Sequence, residues 1–223
     1  MIRLSTASLY RSSASVLLQR NLATCSHLSR CCFSASAAPA STDLPDPKGV
    51  FGKIACIGTG KMAQAMIEPM IKTGVQPCHK ISIYDVNHAT MERFADQFGT
   101  NTADSIPELM RDADLVMCAV KPQNLTPAFF EQLRLGMKQA NNPIALSIIA
   151  GKAINVFYDG GFTKIVRSMP NTPATIGKGM TVWSCTENLT VEERKKIRDI
   201  LSTCGKSVRD VRRKRASCHC YRR

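Results

Sequence analysis

Residues 53–63, Lys-Ile-Ala-Cys-Ile-Gly-Thr-Gly-Lys-Met-Ala, constrain the fold more than any other stretch of the chain. Ile54, Ala55, Cys56 and Ile57 are apolar without alternation, as expected of a strand buried on both faces. The run stops at Gly58-Thr-Gly60, and Ala63 fills the third small position of a G-x-G-x-x-A fingerprint. Each small residue has a physical task. Gly58 allows the tight turn out of the strand, Gly60 lets a pyrophosphate approach the backbone, and Ala63 lets the following helix sit close to the sheet. The helix N-terminus adds unpaired N–H groups and a positive dipole end, and Lys61 adds a cation. A glycine turn that merely joins a strand to a helix has the same local pattern. Asp85 argues against so plain a reading: it ends the next apolar run, 22 residues after Ala63, where dinucleotide-binding units place an acid for the ribose.

The remaining body alternates strand and helix signals. Residues 61–73 read as a helix, with a kink or early break expected at Pro69. Residues 80–84 read as a strand ending at Asp85, and 88–98 as a helix closed by Gly99. Ser105 caps a third helix. Residues 115–120 form a buried strand running into Lys121-Pro-Gln123, and residues 127–138 a helix. A strand at 143–150, a short helix at 152–159, a strand at 164–169 and a helix from the Thr190-Val-Glu-Glu193 capping box to Cys204 complete the pattern. Such alternation predicts an α/β fold, a doubly wound parallel sheet of Rossmann type joined by right-handed crossovers. Its ligands belong at the carboxyl ends of the strands. Gly58 and Gly60, Asp85, Lys121-Pro-Gln123, Ala150-Gly151 and Pro170-Asn-Thr-Pro173 all fall there, and Asn171 sits between prolines that stiffen its loop. Glu192 and Glu193 read as structural, because the capping box accounts for them.

A formal net charge of +13 over 223 residues suggests nucleic acid, but its distribution does not. Residues 1–42 hold four arginines and no acid, and 209–223 hold seven basic residues against Asp210. The body, 43–208, is nearly balanced with 19 basic and 16 acidic residues, so neither a nucleic-acid nor a membrane partner is expected. The Ser-, Ala-, Leu- and Arg-rich first 40 residues have the composition of an organelle transit peptide, and their apolar runs are too short to span a bilayer. The expected address is the mitochondrion, with the plastid as alternative, or the cytoplasm if the segment is only a solvated tail. Ten cysteines include no C-x-x-C, and Cys218-His-Cys220 lacks a second ligand pair, so no metal is expected.

Four strings occur in order: residues 57–63, Ala119-Val-Lys-Pro-Gln123, Ser147-Ile-Ile-Ala-Gly151 and Arg167-Ser-Met-Pro-Asn-Thr-Pro-Ala174. Together, over roughly residues 50–208, they resemble the pyrroline-5-carboxylate reductases, the last enzymes of proline synthesis. The resemblance implies reduction of 1-pyrroline-5-carboxylate to L-proline by NADH or NADPH. It implies that Ile57, Gly58, Thr59, Gly60, Lys61 and Met62 hold the pyrophosphate. Ala119, Val120, Lys121 and Pro122, with Ile148, Ile149 and Ala150, would contact the nicotinamide half, and Asn171 would lie near the reacting centre. No residue is assigned to catalysis proper.

Two departures stand out. The family often carries an uncharged turn near Asp85, whereas an acid repels a 2′-phosphate and holds a ribose diol. A protonated His88 would soften that preference, and both cofactors stay open. The family's all-helical C-terminal domain, which dimerises and carries a Ser-Gly-Ser-Gly-Pro segment, is absent here, and residues 209–223 do not resemble the family. The expected organisation is a transit peptide and linker at 1–48, a dinucleotide-binding domain at 50–208 and a basic tail at 209–223. Family members are homo-oligomers; this chain is expected to be a truncated, weakly active form and a monomer. A non-catalytic dinucleotide-binding module is the alternative, and a related imine or hydroxy-acid reductase a third reading.

Overall fold

The chain's computed structural model describes residues 49–210. The transit and linker assignment at 1–48, the Cys218-His-Cys220 string and all of the basic tail beyond Asp210 lie outside the described residues.

Eight strands form one sheet: β1 (Ile54–Ile57), β2 (Ile81–Tyr84), β3 (Asn101–Thr102), β4 (Leu115–Cys118), β5 (Ile144–Ser147), β6 (Ile165–Met169), β7 (Gly179–Cys185) and β8 (Gly205–Arg209). Five helices connect them: α1 (Lys61–Lys72), α2 (His88–Phe98), α3 (Ile106–Met110), α4 (Pro127–Met137) and α5 (Val191–Ser202). The spatial order is β3-β2-β1-β4-β5-β6-β7-β8. From β1 the chain winds outward through β2 and β3, then restarts on the other side with β4, so the topological switch lies between β1 and β4. β1 to β6 are parallel, in the doubly wound arrangement expected.

The all-parallel expectation fails at one pair. β7 runs antiparallel to β6, because only nine residues separate them and a parallel crossover needs a dozen or more. Those nine hold a 3-10 turn, Thr172–Ile176, closed by Gly177 at φ +69°. β8 returns parallel to β7 after α5. It ends at Arg209, one residue past the expected domain boundary, and Asp210 N still donates to Trp183 O at 2.8 Å.

The pleat divides the core. Ile54 and Cys56 point to the side covered by α1, α2 and α5, with Met66, Ile83, Met91 and Ile197. Ala55 and Ile57 point to the side covered by α3, α4 and the 3-10 helix Ile154–Gly160, with Leu109, Leu133 and Phe157. The short helix expected at 152–159 is this 3-10 helix. Ser105 and Thr190 cap α3 and α5 as expected, and Thr126 and Asn87 cap α4 and α2.

Pro69 does not end α1, which continues to Lys72. The proline has no N–H for the Ala65 carbonyl one turn back. The buried Cys204 thiol approaches that oxygen at 3.5 Å, so the turn between α5 and β8 supplies a weak donor where α1 lacks one.

The last strand pair depends on two facing glycines. Gly179 and Gly205 are register partners, and Gly205 has φ +127°. A Cβ on Gly205 would collide with the Gly179 carbonyl oxygen and stand 2.6 Å from its nitrogen. Gly205→Ala is therefore expected to cost about 3 kcal/mol or more, read from the urea midpoint. An unmoved midpoint would mean that β7 and β8 do not pair in this register.

A cleft at the topological switch

The glycine turn is held by backbone bonds on both sides. Gly58 N donates to Tyr84 O at 2.8 Å, which ties the turn to the end of β2. Ala119 N donates to Ile57 O at 2.8 Å, which ties it to the end of β4. Gly58 has φ +98°, and a Cβ on it would lie 2.9 Å from Ala119 O, so the close passage of the two loops requires glycine. Gly60 is different. It is the N-cap of α1 at φ −69°, and a Cβ there would meet nothing within 4 Å. The first intrahelical bond runs from Gln64 N to Gly60 O at 3.1 Å. The N–H groups of Lys61, Met62 and Ala63 thus have no helical acceptor, and no acid lies in that first turn. Open space over Gly60, free N–H groups and a helix dipole suit a pyrophosphate.

Between β1 and β4 the strand ends border a cleft of about 710 Å³. Of the residues singled out in the sequence, Ile57, Gly58, Gly60, Asp85, Ala119, Val120, Lys121 and Gln123 line it. Thr59 does not, but it acts beside the cleft. Its backbone N and its Oγ1 both donate to Asp85 Oδ2, at 2.7 and 2.9 Å, while Asn87 N donates to Oδ1 at 3.0 Å. Thr59 is buried, and Asp85 is half-buried. The acid at the end of β2 is thereby fastened to the glycine turn.

Other expected residues stand outside the lining. Lys61 is exposed and Met62 half-buried on the first turn of α1, and Pro122 opens a 3-10 turn after β4. Ile148 N donates to Cys118 O at 3.1 Å. Ile149 is turned into the α3–α4 side of the core, so only its backbone can face a ligand, and Ala150 is exposed just before Gly151. Asn171 caps the turn after β6, where its Oδ1 accepts from Met180 N at 2.9 Å and fixes the start of β7.

The second wall of the cleft comes from residues that sequence reasoning passed over: Tyr84 and Val86 beside Asp85, and Thr126, Phe129 and Gln132 at the start of α4. The exposure of Val86, at 77%, is the one signal that marks this wall. The two buried cysteines of β1 and β4 are inert. Burial pushes the Cys56 thiol far above its ordinary value and Cys118 up to about 12, so neither is a thiolate at neutral pH. No cluster of three His, Cys, Asp or Glu residues able to hold a metal occurs among the described residues.

The chain is similar to known proteins in sequence and in fold. Residues 53–151 match the family described as NADP oxidoreductase coenzyme F420-dependent. The chain is 30% identical over 167 residues to the pyrroline-5-carboxylate reductase of Arabidopsis thaliana, covering 74% of this chain and 59% of that protein. It is 30% identical over 157 residues to that of Escherichia coli strain K12, covering 70% and 57%. Among solved structures, the 1-pyrroline-5-carboxylate reductase of Streptococcus pyogenes aligns at a TM-score of 0.58 and 26% identity, over 70% of this chain and 57% of that one. The Plasmodium falciparum pyrroline carboxylate reductase with NADP bound shares the fold, at a TM-score of 0.59 and 24% identity over 71% and 57%. The chain thus spans less than 60% of the length of the curated relatives it matches.

Proposed function

We infer that the chain carries the N-terminal domain of a pyrroline-5-carboxylate reductase, matched over some 70% of its length, and that its cleft binds NADH or NADPH for reduction of 1-pyrroline-5-carboxylate to L-proline. The observation that carries the reading is the open space over Gly60 at the unpaired N-terminus of α1, beside a cleft at the β1–β4 switch. The glycine turn would take the pyrophosphate, with Asp85 toward the adenosine ribose. The loops after β4 and β5, with Ala119, Val120, Lys121 and Pro122 and with Ile148, Ile149 and Ala150, would take the nicotinamide half. When bound, the cofactor supplies a hydride for the imine carbon while a proton from solvent goes to the nitrogen. The chain's own residues orient the dinucleotide, and Asn171 Nδ2, whose partner oxygen is fixed by Met180, is the polar group offered toward the substrate.

Turnover by the 223 residues alone is proposed to be low, since the chain spans under 60% of its relatives' length. Import into the mitochondrion is proposed on the composition of residues 1–42 alone. No helix among the described residues is long and apolar enough to cross a membrane.

The test is titration of the purified chain with NADH and with NADPH, read by nicotinamide fluorescence, alongside an assay of proline formed from 1-pyrroline-5-carboxylate. Saturable binding with slow or no turnover is expected. Absence of binding by either dinucleotide would overturn the reading.

A further inference from the structure

The Asp85 carboxylate is the most heavily engaged polar group in the cleft. An ionised carboxylate offers about four lone-pair sites. Oδ2 accepts from both Thr59 N and Thr59 Oγ1, and Oδ1 accepts from Asn87 N. One site remains open toward a ligand. A ribose hydroxyl has a proton to donate there, whereas a 2′-phosphate at neutral pH brings negative charge and no donor. Among the described residues, no lysine, arginine or histidine lines this end of the cleft to offset it. Lys121 is the one cation in the lining, and it follows β4, two strand spacings or about 10 Å from the end of β2. His88, the first residue of α2, is exposed and does not line the cleft.

A free aspartate on a loop can swing aside to admit a phosphate; this one cannot do so without breaking two bonds to a buried threonine of the glycine turn. We propose that the Thr59–Asp85 clasp makes the chain selective for NADH over NADPH, with Thr59 as the positioning residue that holds the carboxylate in the path of a 2′-phosphate. The inference rests on the dinucleotide reading above and departs from the NADP in the description of the matching family and in the name of one structural neighbour.

The test is a pair of dissociation constants, for NADH and for NADPH, measured by fluorescence titration of the 223-residue chain and three variants. The parent is expected to favour NADH by about thirtyfold, the scale of one partly screened charge repulsion. Asp85→Asn should bring the two constants within about threefold of each other, mainly by tightening NADPH. Thr59→Val should lower the ratio to an intermediate value, with some loss of melting temperature as the buried bond to the carboxylate goes, while Thr59→Ser, which keeps the hydroxyl, should retain the parent ratio. A parent that binds NADPH as tightly as NADH overturns the proposal, as does a Thr59→Val ratio equal to the parent's. Failure to bind either dinucleotide overturns the underlying cofactor reading instead, which keeps the two failures apart.

Discussion

Gly60→Ala is expected to melt with the parent and to bind NADH about a hundredfold more weakly, a loss of roughly 2.7 kcal/mol of binding. A Cβ at Gly60 meets no protein atom within 4 Å, and φ −69° suits alanine, so the fold has nothing to lose. The same Cβ would occupy the space through which a pyrophosphate must approach the first N–H groups of α1. Gly58→Ala is the contrasting case. With φ +98° and Ala119 O only 2.9 Å from the added Cβ, it is expected to destabilise the chain by about 2–3 kcal/mol before any ligand is considered. Thermal denaturation with NADH titration on both variants separates the two roles. If Gly60→Ala binds like the parent, the phosphates do not lie on this turn. If Gly58→Ala melts like the parent, the loops after β1 and β4 pass each other less closely than 2.9 Å implies.

The two glycines also show where the sequence is transparent. β1, β2, β4 and β5 are buried in parallel neighbours on both sides, so continuous apolar runs mark them, and the turn chemistry at Gly58 names the switch point. The apolar runs overrun their strands. Ile148 and Ile149 look like more of β5, yet the strand stops at Ser147, since beyond the sheet rim those two side chains pack into the core on opposite faces of the sheet. β7 escapes notice for the opposite reason. Its burial alternates, with Gly179, Thr181 and Trp183 inward and Met180 and Val182 outward, and it contains too few apolar inward residues to stand out. β3 is two exposed residues, below any pattern. The glycine-turn side of the cleft is legible because backbone chemistry dictates it. The α4 side is not: Phe129 and Gln132 reach the cleft only through the packing of α4 on the sheet, which no local spacing encodes. The clasp is half legible. Asp85 stands out, but Thr59 reads as a filler between glycines, and its hydroxyl proves to be the partner that fixes the acid.

Arg167→Met is expected to raise the stability of the chain by about 1–3 kcal/mol, an unusual sign for a substitution at a site only 9% exposed. Arg167 lies on β6 in the same cross-strand row as Ser147, Cys118 and Ile57, at the carboxyl rim of the sheet. Among the described residues its guanidinium makes one hydrogen-bond contact, a 3.8 Å approach of Nη2 to the Met169 sulfur, while Nε is buried without a hydrogen-bond partner. A buried cation without a carboxylate carries a desolvation cost of several kcal/mol that nothing in its surroundings offsets. Methionine keeps the length of the side chain, removes the charge and can stay beside the Met169 sulfur. Arg167→Lys keeps the charge and should give no gain. Melting curves of the three proteins decide the matter. A fall in stability for Arg167→Met would mean that the guanidinium has a partner beyond those the described residues supply. A rise for Arg167→Met with none for Arg167→Lys would locate the cost in the unpaired charge itself.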